Sequence, residues 1–209
     1  MTPAAVAALA RQDERLAGAI RLIGPCTIKR GRGSPYEALL AAIAHQQVHA
    51  NAALAILGRV RGLYPHGRYP SPEELVATPD ALLRGAGLSR AKLAAMKDVA
   101  ARVLDGTVPD RRTIARLDND TIIERLCAVR GVGRWTAEML LMFTLNRPDI
   151  LPVDDFGIRE GYRLLYGKRQ QPKPKWLARF GERWSPYRTT ASWYLWRYVE
   201  HVRAERRAR

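Results

Sequence analysis

The sequence predicts an all-α protein, and three observations support this prediction. Apolar residues recur at the three- and four-residue spacing of amphipathic helices along most of the 209-residue chain. Helix-start patterns of Ser or Thr followed by Pro are repeated along it. No convincing stretch alternates apolar and polar residues with period two, as a half-buried strand would.

The first strong helix start is Ser34-Pro35-Tyr36-Glu37. A capping serine is followed there by proline at the first helical position and glutamate at the third. Related starts occur at Ser71, at Thr78 and at Ser89, and an apolar series of helical spacing follows each of them. These patterns predict four helices in the first half of the chain.

Two further helices flank a glycine turn. A helix over 119–128 ends at Gly131-Val132-Gly133, and the next helix, over 134–145, is apolar on all sides, which predicts a central and buried position. Residues 168–174 are basic and contain proline, so we expect a surface loop there. A helix near Trp176 and a last helix from Ser185 complete the chain.

Composition narrows the class of protein. The formal net charge is +15 with a sequence pI near 10.6, which favours a polyanionic partner without deciding it. Two cysteines cannot form a disulfide framework, a four-thiolate zinc site or an iron-sulfur cluster. No apolar run approaches the roughly 18 residues of a membrane span. We therefore expect a cytoplasmic protein without a membrane partner.

The most informative stretch is 126–159. It contains the Gly131-Val132-Gly133 hairpin, then Arg134-Trp135-Thr136-Ala137, and then the pair Asp154-Asp155. A two-glycine turn between helices exposes backbone N–H groups that can hold a DNA phosphate. The acidic pair is spaced to supply a carboxylate beside it.

This stretch resembles the helix-hairpin-helix and Gly-Pro-Asp signature of DNA glycosylases. It is most similar to the 3-methyladenine DNA glycosylase II family, because Trp follows Gly-Val-Gly-Arg and because 182–188 continues to Trp196 as in that family. The resemblance covers roughly residues 34–200 and implies a compact form without the family's amino-terminal β domain. It also implies two helical lobes with a DNA-binding cleft between them, formed by 35–134 and by 1–34 plus 135–209.

The resemblance assigns catalysis to Asp155, at the family's spacing from Thr136. A fixed carboxylate can stabilise the cationic sugar formed as a base departs, and can orient or deprotonate water. Asp154 stays open as the catalytic residue, because the triplet 152–154 resembles that of other branches. The structural alternative is that these aspartates only cap the helix that begins near Phe156.

Aromatic residues form the expected base pocket. Trp135 occupies the position where bifunctional relatives carry a lysine that attacks the sugar, so the resemblance implies a monofunctional hydrolase. Trp135 and Trp196 would stack on a cationic alkylated purine, with about 0.5–2 kcal/mol per cation-π contact. Met139, one turn after Trp135, and Phe156 are further pocket candidates, and the alternative for all of them is core packing.

Gln46 and Gln47 resemble the family segment that inserts a side chain into the gap left by a flipped nucleotide, with Gln47 at the wedge position. Alternatively, they cap backbone groups at a helix end. His45 and His49 are four residues apart, so we expect them on one helix face, but no third ligand accompanies them and no side-chain metal site is predicted.

The hairpin supplies the expected contact with the DNA backbone. No cofactor is expected, apart from a monovalent cation that the resemblance implies on the hairpin carbonyl oxygens. The hairpin residues expected to bind phosphate are Arg130, Gly131, Val132, Gly133, Arg134 and Thr136.

The sequence thus predicts a monomeric glycosylase that flips alkylated purines such as 3-methyladenine and 7-methylguanine out of double-stranded DNA and hydrolyses their N-glycosidic bonds, the first step of base excision repair. Two alternatives remain open. One is a non-enzymatic helix-hairpin-helix module that only binds or senses damage. The other is a glycosylase for another lesion class, with or without lyase activity.

Overall fold

The protein is all-α, as predicted. A computed structural model describes residues 2–29, 31 and 33–208, and within these ranges every regular element is a helix. Short 3-10 turns cover Pro65–Gly67 and Glu182–Trp184. The α-helices are α1 (Pro3–Gln12), α2 (Glu14–Ile23), α3 (Pro35–His45), α4 (Ala50–Gly62), α5 (Pro72–Ala77), α6 (Asp80–Gly85), α7 (Arg90–Leu104), α8 (Arg111–Ile114), α9 (Asn119–Cys127), α10 (Arg134–Phe143), α11 (Phe156–Leu165), α12 (Pro174–Gly181) and α13 (Arg188–Ala208).

The chain divides into two compact units. One unit combines Met1–Arg30 with Leu141–Arg209, and the other is the continuous segment Gly31–Leu140. The borders expected from the sequence, after residues 34 and 134, stay a prediction. No helix within the described ranges is long and apolar enough to cross a membrane.

The helix starts form largely as predicted. Ser34 accepts a hydrogen bond from the Glu37 amide, and Glu37 in turn accepts one from the Ser34 amide, so α3 begins with a complete capping box. The same reciprocal pair starts α5, and Ser89 caps α7. The Thr78 start differs: Pro79 occupies the N-cap of α6, and the Thr78 hydroxyl donates instead to the Glu74 carbonyl at 2.7 Å.

The continuous unit packs α3 and α5 against α7. Leu39 and Ile43 of α3, Leu75 of α5 and Val99 of α7 are completely buried. Leu39 and Ile43 are four residues apart on α3, the spacing of one helix face, and this spacing is the apolar pattern that predicted the helix.

The discontinuous unit contains two helices that the sequence analysis did not identify, α1 and α2. Asp13 separates them, and its Oδ1 accepts hydrogen bonds from the Arg15 and Leu16 amides at the start of α2. Its Oδ2 accepts from the Trp184 indole N–H at 3.0 Å and from the Tyr166 hydroxyl. This buried carboxylate therefore joins the start of the chain to residues near its end. Burial, together with the hydrogen bond to Asp13, raises the pKa of Tyr166 above its usual value.

Two other helices of this unit, α11 and α13, are in close contact because Gly161 has no side chain. A Cβ on Gly161 would collide with the carbonyl group of Leu195. This close approach positions the first residues of α11 beside α13.

The apolar helix α10 is shorter and less uniformly buried than predicted. It ends at Phe143 rather than residue 145. Leu141 and Met142 are completely buried, but Trp135 is 51% exposed and Phe143 is 39% exposed. The helix therefore has large aromatic side chains at both ends that the core does not cover.

Candidate active site

The predicted glycine hairpin connects α9 to α10. Gly131 has a φ of +76°, in the left-handed region that favours glycine. Val132 at the tip is 5% exposed, and its amide donates to the Val129 carbonyl at 3.1 Å. The buried valine fixes the turn, while Gly131 and Gly133 are exposed on its surface.

Contacts with two other helices of the same unit hold the hairpin in place. The Gln46 side-chain amide, just after α3, donates to the Gly131 carbonyl at 2.8 Å. The Arg130 amide donates to Asp98 of α7 at 2.7 Å, so this N–H already has a protein acceptor. Arg134 pairs with the buried Glu138 at 3.0 Å in the first turn of α10. The phosphate roles predicted for Arg130, Arg134 and the other hairpin residues stay predictions.

The two aspartates have different environments. Asp154 is exposed in the turn before α11, and no hydrogen bond of its carboxylate is found within the described part of the chain. Asp155 is partly buried and is the N-cap of α11, where its Oδ1 accepts from the Ile158 amide at 2.8 Å. The capping role proposed as an alternative for the pair thus falls on Asp155.

Capping is not the only contact of the Asp155 carboxylate. The indole N–H of Trp196, from α13, donates to the same Oδ1 at 2.8 Å. Two donors on one oxygen fix the plane of the carboxylate more tightly than a cap alone. A helix cap needs no second donor from 41 residues away, so this bond favours a role for Asp155 in addition to capping.

Gly157 makes the approach of Trp196 possible. A Cβ on Gly157 would lie 2.7 Å from Trp196 Cδ1, 3.0 Å from its Nε1 and 3.1 Å from Asp155 Oδ1. Phe143 stacks against the Trp196 ring with centroids 6.0 Å apart and an interplanar angle of 27°. Asp155, Trp196, Gly157 and Phe143 therefore form one cluster in the discontinuous unit.

The other predicted pocket residues are placed as follows. Trp135 lies in the first turn of α10 and Met139, half-buried, one turn later, both in the continuous unit. Phe156 is 63% exposed at the start of α11, directly after Asp155. Exposure of Trp135 and Phe156 argues against the core-packing alternative for these two side chains.

The glutamine segment forms the turn between α3 and α4. Gln47 is exposed and has a φ of +55°, an unfavourable conformation for a residue with a side chain. Gln46 contacts the hairpin, which fits the capping alternative for that residue. The prediction that His45 and His49 share a helix face is wrong: His45 ends α3, whereas His49 caps α4.

The expected cation would bind backbone carbonyl oxygens of the hairpin. Within the described ranges no three His, Cys, Asp or Glu side chains are grouped as metal ligands. The carbonyl of Val129 accepts from Val132 and that of Gly131 from Gln46, and each carbonyl has a second lone pair. Carbonyl oxygens are the ligand type that hard cations prefer, so the chemistry fits and the ion stays a prediction.

Sequence reasoning missed three contributors to these clusters. Phe143 was assigned to the buried helix α10, although its position at the end of that helix leaves it free to contact Trp196. Gly157 was not singled out; a glycine inside a helix, two residues after a candidate catalytic aspartate, was the available signal. Asp98 carries no local signal, because its contact with Arg130 is 32 residues away in sequence.

The arrangement is suited to stabilising positive charge. The Asp155 carboxylate is held in one orientation. The Trp196 ring lies beside it and stacks on Phe143, and all three residues belong to the discontinuous unit. An oriented carboxylate can stabilise a developing sugar cation and direct a water molecule, and aromatic faces attract cationic groups.

Comparisons with known proteins agree with this chemistry. A model of the HhH-GPD superfamily base excision DNA repair proteins matches residues 40–186. The chain is 38% identical over 187 residues to DNA-3-methyladenine glycosylase 1 of Schizosaccharomyces pombe, covering 88% of this chain and 82% of that protein.

Solved structures give the same result. The S. pombe 3-methyladenine DNA glycosylase in complex with abasic DNA has a TM-score of 0.80 and 38% identity, with 92% of this chain and 94% of that chain covered. A DNA-3-methyladenine glycosidase from Bacillus halodurans has a TM-score of 0.85 and 37% identity, with 94% and 88% covered. The resemblance seen in the hairpin-to-aspartate stretch thus extends over the chain, which belongs to the HhH-GPD superfamily of base excision DNA repair proteins.

Proposed function

We propose that this protein is a monofunctional DNA glycosylase that removes alkylated purines, of the 3-methyladenine and 7-methylguanine type, from double-stranded DNA as the first step of base excision repair. The observation that carries the proposal is the Asp155 carboxylate, which is held by the Ile158 amide and the Trp196 indole at 2.8 Å each. Relatives named as 3-methyladenine glycosylases, one of them solved with abasic DNA, support it.

The proposed reaction begins with a flipped nucleotide whose sugar faces Asp155. As the C1′–N bond of the alkylated base lengthens, positive charge develops on the sugar, and the fixed carboxylate stabilises it. Water then adds to C1′ and gives up a proton to the Asp155 carboxylate, while the released base carries away the bonding electrons. An alkylated purine is already cationic and leaves readily, so strong acid catalysis on the base is not required.

Asp155 suits this role better than Asp154. Its carboxylate is oriented by two donors, so it needs little reorganisation when the sugar becomes charged. Asp154 is exposed in the turn, and a solvated carboxylate is worth less in such a role because water screens its charge.

The aromatic side chains would recognise the damaged base. Trp135 is half-exposed, and its ring would stack on a flipped base. Trp196 and Phe143 would form a second aromatic surface beside the carboxylate. The electron-rich faces of these rings favour a cationic purine over a neutral one, by about 0.5–2 kcal/mol for each contact. Selection by charge would explain how several alkylated bases are accepted.

The absence of a lysine at position 135 supports hydrolysis without strand cleavage. A lyase needs an amine that attacks C1′ and forms a Schiff base, and Trp135 offers none. The product would be an intact strand with an abasic site.

DNA binding would combine the hairpin with the wedge. The exposed hairpin glycines would let the DNA backbone approach the start of α10, where a helix amino terminus favours a phosphate. Gln47, exposed at a left-handed turn, would fill the gap left by the flipped base. The net charge of +15 provides attraction that does not depend on DNA sequence.

The test is base release from methylated duplex DNA. Purified protein is incubated with a duplex carrying radiolabelled methyl groups, and released bases are separated by chromatography, with Asp155→Asn and Asp154→Asn in parallel. We expect wild type and Asp154→Asn to release 3-methyladenine, and Asp155→Asn to lose at least about a hundredfold in rate, the scale of one electrostatic group. Duplex binding that survives in Asp155→Asn shows that the loss is not one of folding.

Three results would contradict the proposal. Wild-type protein that binds the duplex but releases no base would identify a binding module. Loss of release in Asp154→Asn alone would reassign the catalytic aspartate. Strand cleavage without added alkali would contradict the monofunctional assignment.

A further inference from the structure

A basic surface around Trp176, distant in sequence from the hairpin, is not used by the proposed reaction. It comprises α12 and the loop before it, residues 168–183, and we call it the α12 surface. Trp176 is 48% exposed at its centre. The cations of this surface are Lys168, Arg169, Lys173, Lys175, Arg179 and Arg183.

The cations of the α12 surface are not neutralised. All of them are exposed, and within the described part of the chain none forms an ion pair with an acidic side chain. Glu182 is the single acidic residue of the segment. Six like charges held close together repel one another, so a surface of this kind favours an anionic ligand.

Trp176 presents a flat ring face to solvent. One face stacks on Phe180, with ring centroids 5.1 Å apart and an interplanar angle of 19°. Tyr162 lies 5.3 Å from Trp176 and 5.0 Å from Phe180. If Tyr162 covered the opposite face of the indole, it would be roughly twice as far from Phe180, so it lies beside the pair instead. Neither ring covers the outer face of Trp176.

The cations lie on both sides of this ring. An open depression of about 650 Å³ is lined by Trp176 and Phe180, by one carboxylate, Glu182, and by four cations: Lys173, Lys175, Arg179 and Arg183. A second depression, of about 430 Å³, is lined by Trp176, Lys168 and Arg169. Arg183 also stacks on Phe180, with its guanidinium carbon 3.9 Å from the ring centroid, so the aromatic stack ends in a charge.

We propose that the α12 surface binds single-stranded DNA, with one base stacked on Trp176 and the phosphates on either side held by the flanking cations. Single-strand binding proteins combine these two elements, an aromatic stacking platform and a basic groove. Bases in a duplex are already stacked on one another and cannot reach the indole. An acidic peptide would satisfy the cations but would leave the flat ring face without a function.

This inference goes beyond the proposed function, because it concerns an undamaged strand and uses none of the residues assigned to base release. The test measures binding of a fluorescein-labelled thymidine 12-mer by anisotropy. The variants are Trp176→Ala, Trp176→Phe and the double change Lys175→Gln with Arg179→Gln. The matched control is Arg11→Gln with Arg21→Gln, which removes two exposed cations from α1 and α2.

We expect Trp176→Ala to weaken binding about tenfold, since stacking contributes about 1–3 kcal/mol per base. Trp176→Phe retains a ring and should stay within about threefold of wild type. The Lys175 and Arg179 change should reduce the slope of log K against log salt by about 1.4, the loss of two single-strand phosphate contacts. The control should leave both affinity and slope unchanged.

Equal binding by Trp176→Ala and wild type would overturn the proposal. The proposal would also be overturned by a competition experiment with a peptide of aspartates that ends in phenylalanine. The contradicting result is that this peptide displaces the labelled oligonucleotide at a lower concentration than the unlabelled thymidine 12-mer does. Base release from a short methylated duplex is measured on the same variants and should not change. If wild type releases no base but the Trp176 effects hold, the proposed function fails and this inference stands.

Discussion

Replacing Gly157 by alanine should disable the candidate active site while leaving the fold largely intact. The added Cβ would lie 2.7 Å from Trp196 Cδ1, whereas carbon atoms prefer about 3.5–4.0 Å. The indole or the carboxylate must therefore move by about 1 Å, which breaks the 2.8 Å bond between Trp196 and Asp155. A displacement of this size can cost about a hundredfold in rate.

The effect on stability should be small, because two changes oppose each other. Alanine is about 0.8–1.0 kcal/mol more favourable than glycine in a helix, and overpacking costs about 1–3 kcal/mol. We expect a net loss of about 2 kcal/mol or less, measured by urea unfolding, with a fall in single-turnover base release of about a hundredfold.

Gly18→Ala in α2 is the matched control, since nothing lies within 4 Å of a Cβ built at that position. It should stabilise the protein by about 0.5–1 kcal/mol and leave the rate unchanged. If Gly157→Ala releases bases at the wild-type rate, the reasoning that the bond between Trp196 and Asp155 orients the catalytic group is refuted.

Three further predictions concern individual side chains. Trp196→Phe removes the indole donor but keeps an aromatic ring. Because a hydrogen bond to a charged group contributes about 1.5–3 kcal/mol, we expect base release in single-turnover assays to slow by about ten- to a hundredfold. An unchanged rate would contradict this prediction. Gln47→Gly relieves the strain of the left-handed backbone, so the free energy of unfolding should rise by about 1 kcal/mol. Base release should slow because the proposed wedge side chain is removed, and a faster rate would argue against a wedge. Hydrogen bonds with Arg163 are the main cause that lowers the pKa of Glu160 to about 2. The ionised carboxylate therefore contributes to the free energy of unfolding above its ordinary pKa near 4.5, and this contribution is lost as pH falls from there towards 2. Glu160→Gln should be less stable than wild type at neutral pH by about 1 kcal/mol, and this difference should shrink in urea unfolding below pH 4; a constant difference would contradict the assignment.

The sequence allowed helix starts to be predicted well because capping is local. A capping box such as that of Ser34 and Glu37 needs only four consecutive residues, and the structure forms it. Thr78 shows the limit, since its hydroxyl can equally bond to a carbonyl of the preceding turn. The helices α1 and α2 were missed although Thr2 and Asp13 cap them, because neither was recognised as a start.

The candidate site was predictable only in part, for a physical reason. The hairpin and the aspartates lie within one short segment whose spacing is visible in the sequence. The bond between Asp155 and Trp196 joins residues 41 apart, and that between Asp13 and Trp184 joins residues 171 apart. Such pairs depend on how helices pack, and the approach of α11 to α13 at Gly161 is decided by tertiary contacts that no local pattern encodes.

The two-part construction of the discontinuous unit affects when the candidate catalytic cluster can form during synthesis. Chains fold from their amino terminus as the ribosome extends them, at about 5–20 residues per second. The continuous unit, complete at Leu140, has all its residues well before Trp196 is translated. Until Tyr166 and Trp184 are translated, Asp13 lacks these two partners, and α1 and α2 lack the helices that bury them. A nascent chain truncated before α13 would therefore contain the whole hairpin, while its Asp155 carboxylate would lack the Trp196 donor, which makes DNA binding an earlier property of the growing chain than base release.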